Sequence, residues 1–77
     1  MNKYERVNGW EFEYDEDNEQ YECRGDVFYD NEHDPMPDPD LWRAAIQLAD
    51  DLKKRGIKAM ANHSEKGWVE VEISDTN

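Results

Sequence analysis

The sequence has a single cysteine, Cys23, among 77 residues. One thiol cannot form an intramolecular disulfide, and the cysteine clusters of structural zinc sites are absent. Long apolar runs are also missing: no stretch approaches the roughly 20 apolar residues that span a bilayer, and the amino terminus is charged where a signal peptide is apolar. We therefore expect a cytoplasmic protein with no membrane-spanning segment.

Basic residues are scarce and unevenly placed. Lysine and arginine number 9 against 20 aspartates and glutamates, which gives a formal net charge of −11. Residues 1–40 contain 14 acidic residues but only Lys3, Arg6 and Arg24 as cations, whereas residues 41–77 contain six of each sign. The net charge therefore lies entirely in the first half. Such a surface repels nucleic acid and anionic membranes and attracts a basic surface or a cation.

The chain is short for an enzyme. A domain of 77 residues buries a small core and has little chain left to enclose a pocket that excludes water. Crowded, exposed carboxylates need such a pocket to separate their pKa values for acid–base catalysis. We expect a protein without catalytic residues and without a cofactor.

Apolar and acidic side chains alternate from residue 10 to residue 15 as Trp-Glu-Phe-Glu-Tyr-Asp, which is the period of a strand with one buried face. A polar loop follows, and then Tyr21, Cys23, Val27 and Tyr29 again alternate, with a bend expected at Gly25. The pattern predicts a strand hairpin over residues 7–30, and in it Cys23 behaves as a small buried hydrophobe.

All three prolines lie between residues 35 and 39. They predict an extended connector over residues 31–38 that forms neither strand nor helix. Asp38 is a favoured N-cap and Pro39 fits the first helical position, so the sequence predicts a helix over residues 39–55. Its apolar stripe includes Leu41 and Leu48. Alternation on both sides of a polar turn then predicts a second hairpin over residues 57–74.

These elements fit in one domain, residues 1–77. The predicted fold is α+β: a four-stranded antiparallel sheet in ββαββ order, with the helix packed on one face. The other face is exposed to water, and alternation places on it Arg24, Lys58 and a set of carboxylates. Those carboxylates are Glu11, Glu13, Asp15, Glu22, Asp26, Glu70 and Glu72.

A regular sheet would space these carboxylates at intervals similar to those of phosphates. In size, acidity and lack of a catalytic constellation, the chain resembles the phage-encoded inhibitors that act as DNA mimics, including acidic anti-CRISPR and anti-restriction proteins. The resemblance implies a non-catalytic inhibitor that blocks the basic groove of a nucleic-acid-binding protein or of a CRISPR or restriction complex. The residues predicted to contact the partner are Glu11, Glu13, Asp15, Glu16, Asp17, Glu19, Glu22, Asp26, Asp30, Glu70 and Glu72.

An alternative is a small cytosolic interaction or regulatory module whose acidic residues serve only solubility. Alternation places Trp68 on the exposed face beside Met60, and with Phe28 these side chains form a predicted apolar patch that anchors a partner. The sequence also allows a homodimer, because an exposed edge strand is an inexpensive route to self-association.

Two metal-binding alternatives are weaker. Asp15, Asp17 and Glu19, with Asp26 at the twelfth position, resemble part of a calcium loop, but Gln20 occupies the position that needs glycine. His33 and its acidic neighbours in the connector, together with His63 or Cys23, supply ligand types for a transition metal without a diagnostic spacing. We predict no metal site.

Overall fold

The computed structural model describes residues 1–29, 35–64 and 66–74. In these ranges the chain forms the following elements in order: β1 (Tyr4–Val7), β2 (Trp10–Asp15), β3 (Gln20–Arg24), β4 (Val27–Tyr29), β5 (Pro35–Pro37), α1 (Pro39–Lys54), β6 (Lys58–His63) and β7 (Trp68–Ser74). No helix in the part of the chain that the structure describes is long and apolar enough to cross a membrane.

The strands form two sheets. The main sheet has five strands in the order β1-β2-β3-β7-β6, and β4 pairs with β5 in a separate two-stranded sheet. All of the neighbouring strands pair antiparallel. The α+β class with one helix agrees with the sequence analysis, but the predicted four-stranded sheet in ββαββ order is wrong.

The prediction missed strand β1. Glu5 is on the same side of the strand as Val7 and faces the helix, so the expected alternation of apolar and polar residues is broken there. Glu5 is nonetheless paired: Nη1 and Nη2 of Arg55 donate to its carboxylate at 2.9 and 3.2 Å. The side chain of Glu5 is only 10% exposed. A contact between residues 50 positions apart thus allows a charged residue at an inward position.

The predicted hairpin over residues 7–30 is also wrong in detail, because β3 ends at Arg24 and the chain leaves the main sheet at Gly25. The predicted connector over residues 31–38 contains strand β5, while residues 31–34 lie outside the described part. Two prolines are tolerated in β5 because they alternate with Met36, which pairs with Phe28. In a two-stranded ribbon every second N–H points away from the partner strand, where a missing donor costs little.

Helix α1 begins as predicted and ends one residue earlier than predicted, at Lys54. The Asp38 carboxylate accepts a hydrogen bond from the backbone N–H of Asp40 at 2.9 Å, and Pro39 occupies the first turn. The side of the helix that faces the sheet is fully apolar. Its buried residues are Leu41, Ala44, Ala45, Leu48, Ala49 and Leu52.

Two aromatic rings fill the space between the helix and the middle of the main sheet. Phe12 on β2 and Tyr21 on β3 are both inaccessible to water, as are Val69 and Val71 on β7. The hydroxyl of Tyr21 donates a hydrogen bond to the backbone carbonyl of Asn2, which satisfies its polar end and holds the chain just before β1. The core therefore lies on one face of the sheet.

Gly67, in the turn before β7, lies against the point where the chain leaves β3. The N–H of Gly25 donates to the carbonyl of Gly67 at 2.9 Å. A Cβ on Gly67 would lie 2.5 Å from the backbone oxygen of Gly25, and its φ of +84° is in the left-handed region. This close approach holds the β6–β7 turn against the exit from β3.

We expect Gly67→Ala to lower the free energy of unfolding by about 2–4 kcal/mol, because it combines a strained φ with a backbone clash. Gly9→Ala is the matched control, since Gly9 has a φ of +85° but no atom within 4 Å of its added Cβ. Chemical denaturation of both variants measures the difference, which isolates the clash. Equal losses in the two variants would show that the close approach does not matter.

We expect Glu5→Gln to lower the free energy of unfolding at neutral pH by up to about 1 kcal/mol, because it removes a partly exposed ion pair. The Arg55 guanidinium lowers the pKa of Glu5 below its ordinary value of 4.5. The ion pair therefore stabilises the fold above about pH 4.5, and this contribution is lost as the pH falls through the lowered pKa. Unfolding curves across the acidic range should converge for wild type and variant; a constant difference down to strongly acidic pH contradicts the assignment.

Candidate functional site

The face of the main sheet opposite α1 carries most of the predicted contact residues. Side chains alternate across each strand, so the residues between the core positions all project to this open face. We call the six carboxylates on it the acidic face. They are Glu11, Glu13 and Asp15 on β2, Glu22 on β3, and Glu70 and Glu72 on β7.

The strand register arranges the open face in rows. In the middle row Glu13 lies opposite Glu22, and Glu22 lies opposite Glu70. Tyr4 and Asn62 end this row at the two edges of the sheet. Neighbouring strands are about 4.8 Å apart, so three carboxylates follow one another at about that spacing. Like charges directly opposite each other on paired strands destabilise the sheet.

The first outer row continues the acidic surface. Asp15, Gln20, Glu72 and Met60 lie opposite one another in turn. Gln20 is 8% exposed and its Nε2 donates to the Glu22 carboxylate at 2.6 Å, which links this row to the middle row. A neutral donor orients the carboxylate of Glu22 without cancelling its charge.

Most cations of the open face lie in the second outer row, towards one end of the sheet. Arg6 lies opposite Glu11, and their side chains form an exposed ion pair at 3.3 Å. Arg24 lies opposite Trp68, and its guanidinium is 5.9 Å from the centroid of the indole ring. Neither arginine lies in the middle row, so no cation on the strands separates its three glutamates. Lys3, just before β1, lines a groove with Glu13 and Glu22.

The crowding perturbs the titration of Glu70. Partial burial raises the pKa of Glu70, and the charges of Glu22 and Glu72 raise it further. A carboxyl with a raised pKa is held in an unfavourable environment when ionised. At neutral pH the ionised Glu70 is therefore in an unfavourable environment, first because it is partly buried and second because Glu22 and Glu72 carry the same charge.

Three more predicted contact residues, Glu16, Asp17 and Glu19, are exposed in the turn between β2 and β3. The Asp15 carboxylate organises this turn: it accepts hydrogen bonds from the side chain and backbone N–H of Asn18 and from the backbone N–H of Asp17. The Asn18 side chain is the main cause of a lowered pKa of Asp15. An open groove of about 750 Å³ extends from the turn to the sheet, lined by Met1, Lys3, Glu13, Tyr14, Asp15, Glu16, Asp17 and Glu22.

Two predicted contact residues do not join this surface. Asp26 follows the end of β3 and lies outside both sheets, so the prediction that it shares the exposed face is wrong. The alternation that placed it there stops at Gly25, where the chain leaves the main sheet. Asp30 lies outside the described residues.

The predicted apolar patch is not assembled as expected. Trp68 and Met60 are both exposed on the open face, but Met60 lies opposite Glu72, four residues further along β7 than Trp68. That offset is about 13 Å along the strand. Phe28 belongs to the separate two-stranded sheet, where it pairs with Met36. The three side chains therefore do not form the single cluster that the sequence analysis expected.

Within residues 1–29, 35–64 and 66–74, no group of three or more histidine, cysteine, aspartate or glutamate side chains is arranged to hold a metal ion. The segment that resembles a calcium loop is flanked by strands rather than helices. Cys23 is half-buried, and burial raises the pKa of its thiol, which favours the unreactive protonated form. The ring of His63 packs edge-on against Trp42, with centroids 5.2 Å apart.

Sequence reasoning missed the contributions of Tyr4, Arg6 and Gln20 to the open face. Tyr4 and Arg6 were missed because β1 was missed, and Gln20 because it was assigned to the loop. The only available signal for β1 was the weak alternation of residues 4–7, which the inward Glu5 obscures.

We expect Glu70→Gln to raise the free energy of unfolding at neutral pH by roughly 0.5 kcal/mol, because it relieves like-charge repulsion at a site still partly in water. The raised pKa of Glu70 means that wild-type stability falls as pH rises from 4.5 through that pKa. Thermal unfolding at several pH values and salt concentrations measures the gain, which should shrink in high salt.

Glu11→Gln is the control, because Glu11 is on the same face but is paired with Arg6. It should not stabilise the protein. If Glu70→Gln proves neutral or destabilising at neutral pH, the middle row carries no electrostatic strain.

No protein-family model matches this chain, and no curated protein or solved structure shows significant similarity to it.

Proposed function

We propose that the acidic face binds the basic nucleic-acid-binding surface of another protein and blocks it, so that the chain acts as a non-catalytic inhibitor that mimics the charge of DNA. The observation that carries the proposal is the middle row, in which Glu13, Glu22 and Glu70 lie on adjacent strands without an intervening cation. This arrangement destabilises the free sheet, and a partner rich in lysine and arginine would relieve it.

The spacing of the carboxylates supports mimicry of a duplex. From Glu11 to Asp15 the acidic face extends about 13 Å along the strands and about 10 Å across them. A duplex carries one negative charge per about 1.7 Å of axis, or about eight over the same length. The face carries six carboxylates, but Arg6 pairs with Glu11 and Arg24 lies on the same face, so its net charge is about half that of the duplex. A groove that binds phosphates meets unpaired carboxylates at intervals of about 4.8 Å in the middle row.

The apolar face of the main sheet is largely covered by α1, which supports binding through the opposite face. The exposed ends of the rows add adaptable contacts: Tyr4 is 52% exposed at one edge of the middle row, and Trp68 is 38% exposed near Arg24. An aromatic side chain at the rim of a charged surface supplies contact area and fixes orientation. Inhibition then requires only occupancy of the partner's groove.

The salt dependence of binding distinguishes this proposal from the alternative, an interaction module that binds through apolar side chains. Exposed charge pairs lose most of their attraction as the Debye length falls from about 10 Å at 0.1 M to about 3 Å at 1 M. Binding by carboxylates should therefore weaken steeply with salt, whereas anchoring by Trp68, Met60 or Phe28 should hardly respond.

We expect the triple variant Glu13→Gln, Glu22→Gln and Glu70→Gln to bind its partner at least about tenfold more weakly than wild type. The matched control is a triple variant on the helix, Asp40→Asn, Asp50→Asn and Asp51→Asn. Both change the formal charge from −11 to −8, so a difference between them reports position rather than net charge.

The measurement uses the three proteins as immobilised baits for a nuclease-treated bacterial lysate at low salt. Bound proteins are eluted by rising salt or by duplex DNA and identified by mass spectrometry. The proposal predicts nucleic-acid-binding proteins that elute at moderate salt, are displaced by DNA, and are lost from the middle-row variant alone. Equal loss from both variants, partners that do not bind nucleic acid, or retention through high salt would contradict it.

A further inference from the structure

Strand β6 forms one edge of the main sheet. It pairs with β7 without interruption from Lys58 to His63, and no strand in the described part of the chain pairs with its other side. It is six residues long and contains no proline. The opposite edge strand, β1, has only four residues. Long edges without prolines or bulges are templates for the addition of another strand.

The register shows which backbone groups of β6 point outwards. The N–H of Ser64 donates to the carbonyl of Trp68 at 2.9 Å. Hydrogen-bonded pairs alternate along an antiparallel ladder, so Met60 and Asn62 also direct their backbone groups towards β7. The backbone groups of Ala59, Ala61 and His63 therefore point away from the sheet.

Of these three outward N–H groups, that of His63 already has an acceptor. The side-chain oxygen of Asn62 accepts from it at 2.9 Å. The outward N–H groups of Ala59 and Ala61 are thus the ones that an incoming strand would engage. A strand that pairs only with these two residues is centred on Met60, whose side chain is on the open face and is 65% exposed.

The absence of carboxylates from β6 favours a second copy of this chain as the source of the incoming strand. Each of the other four strands of the main sheet carries at least one carboxylate, whereas β6 consists of Lys58, Ala59, Met60, Ala61, Asn62 and His63. In a chain with a net charge of −11, two copies can approach at this edge without directly opposing their carboxylates.

We infer that two copies of this chain associate by antiparallel pairing of their β6 strands about a two-fold axis, with Met60 opposite the second copy's Met60. In this register Ala59 lies opposite the second copy's Ala61, and each pair exchanges backbone hydrogen bonds. Lys58 lies opposite the second copy's Asn62, so no like charges are directly opposed.

The side chains at the seam suit this pairing. Ala59 and Ala61 face α1 and are small, so they leave room at the seam on the helix side. The two exposed Met60 side chains contact each other on the open face and bury apolar surface that is wet in the single copy. The two-fold axis passes between the two Met60 residues, so the Ala59–Ala61 pairing occurs twice. The combined sheet has ten strands, and both acidic faces lie on the same side.

Sedimentation equilibrium tests the dimer directly. Because both copies are strongly negative, the association constant should rise with salt as their repulsion is screened. Ala61→Pro removes an outward N–H from each copy without removing a hydrogen bond to β7, and it should weaken association by about tenfold or more. Tyr4→Pro makes the same kind of change at the outward edge of β1 and should leave association unchanged.

A pair of cysteine variants tests the register independently of proline tolerance. In a Cys23→Ala background, Met60→Cys places two thiols in a non-hydrogen-bonded cross-strand pair with Cα atoms about 4.5 Å apart, within disulfide range. Asn62→Cys is the control on the same face and strand, where the two thiols would be about 13 Å apart. Mild oxidation should crosslink the first variant rapidly and the second hardly at all.

A wild-type protein that stays monomeric at high salt over about a hundredfold range of concentration overturns the inference. So does a dimer that Ala61→Pro and Tyr4→Pro weaken equally, or one in which the Asn62→Cys variant crosslinks as fast as the Met60→Cys variant. Failure of the partner capture leaves these results unaffected, because the dimer uses β6 and not the carboxylates of the acidic face.

Discussion

The one helix of the described residues can cover only one face of the five-stranded sheet, and the rest of the structure follows from this constraint. The helix contacts β6, β7 and β1, while the rings of Phe12 and Tyr21 fill the space over the intervening strands. Most inward positions are used in this packing, including that of Glu5, which is neutralised by Arg55. The other face is exposed to water, so core packing does not constrain which residues it carries.

The charged residues on the open face are not arranged as stability or solubility alone would favour. A wet face built for stability would alternate opposite charges across its strands, because such pairs stabilise and like pairs destabilise. Here the two arginines of the open face lie in an outer row, and the middle row keeps three glutamates together. Burial raises the pKa of Glu70, and the neighbouring charges of Glu22 and Glu72 add to that rise. Functional surfaces often retain such costs where stability alone would remove them.

The parts of the fold that depend on local signals were predictable from the sequence. The alternation from Trp10 to Asp15, the Asp38–Pro39 start of the helix and the last hairpin are each specified by neighbouring residues. Strand β1 was not predictable, since its inward glutamate depends on Arg55, a residue at the far end of the chain. The separate β4–β5 sheet was missed because prolines usually exclude strands, and the exception depends on which N–H groups face a partner.

The candidate site was likewise predictable where local signals decide it, and not where distant residues do. The positions on β2, β3 and β7 were predictable because alternation fixes the face of each residue once a strand is known. The adjacency of Glu13, Glu22 and Glu70 was not predictable, because it depends on the register and on the order β2-β3-β7. Asp26 was misplaced for the related reason that alternation does not reveal where a strand leaves its sheet.

Salt acts in opposite directions on the two proposed associations. Screening weakens the attraction of the acidic face for a basic groove, while it relieves the repulsion between two copies that meet at β6. In the dimer the two acidic faces flank a seam without carboxylates, about 14 Å wide between the two β7 strands. A partner with two basic surfaces at that separation would neutralise both copies at once and so promote the pairing that their charge otherwise resists. Binding at the acidic face and association at β6 would then be thermodynamically linked, each strengthening the other.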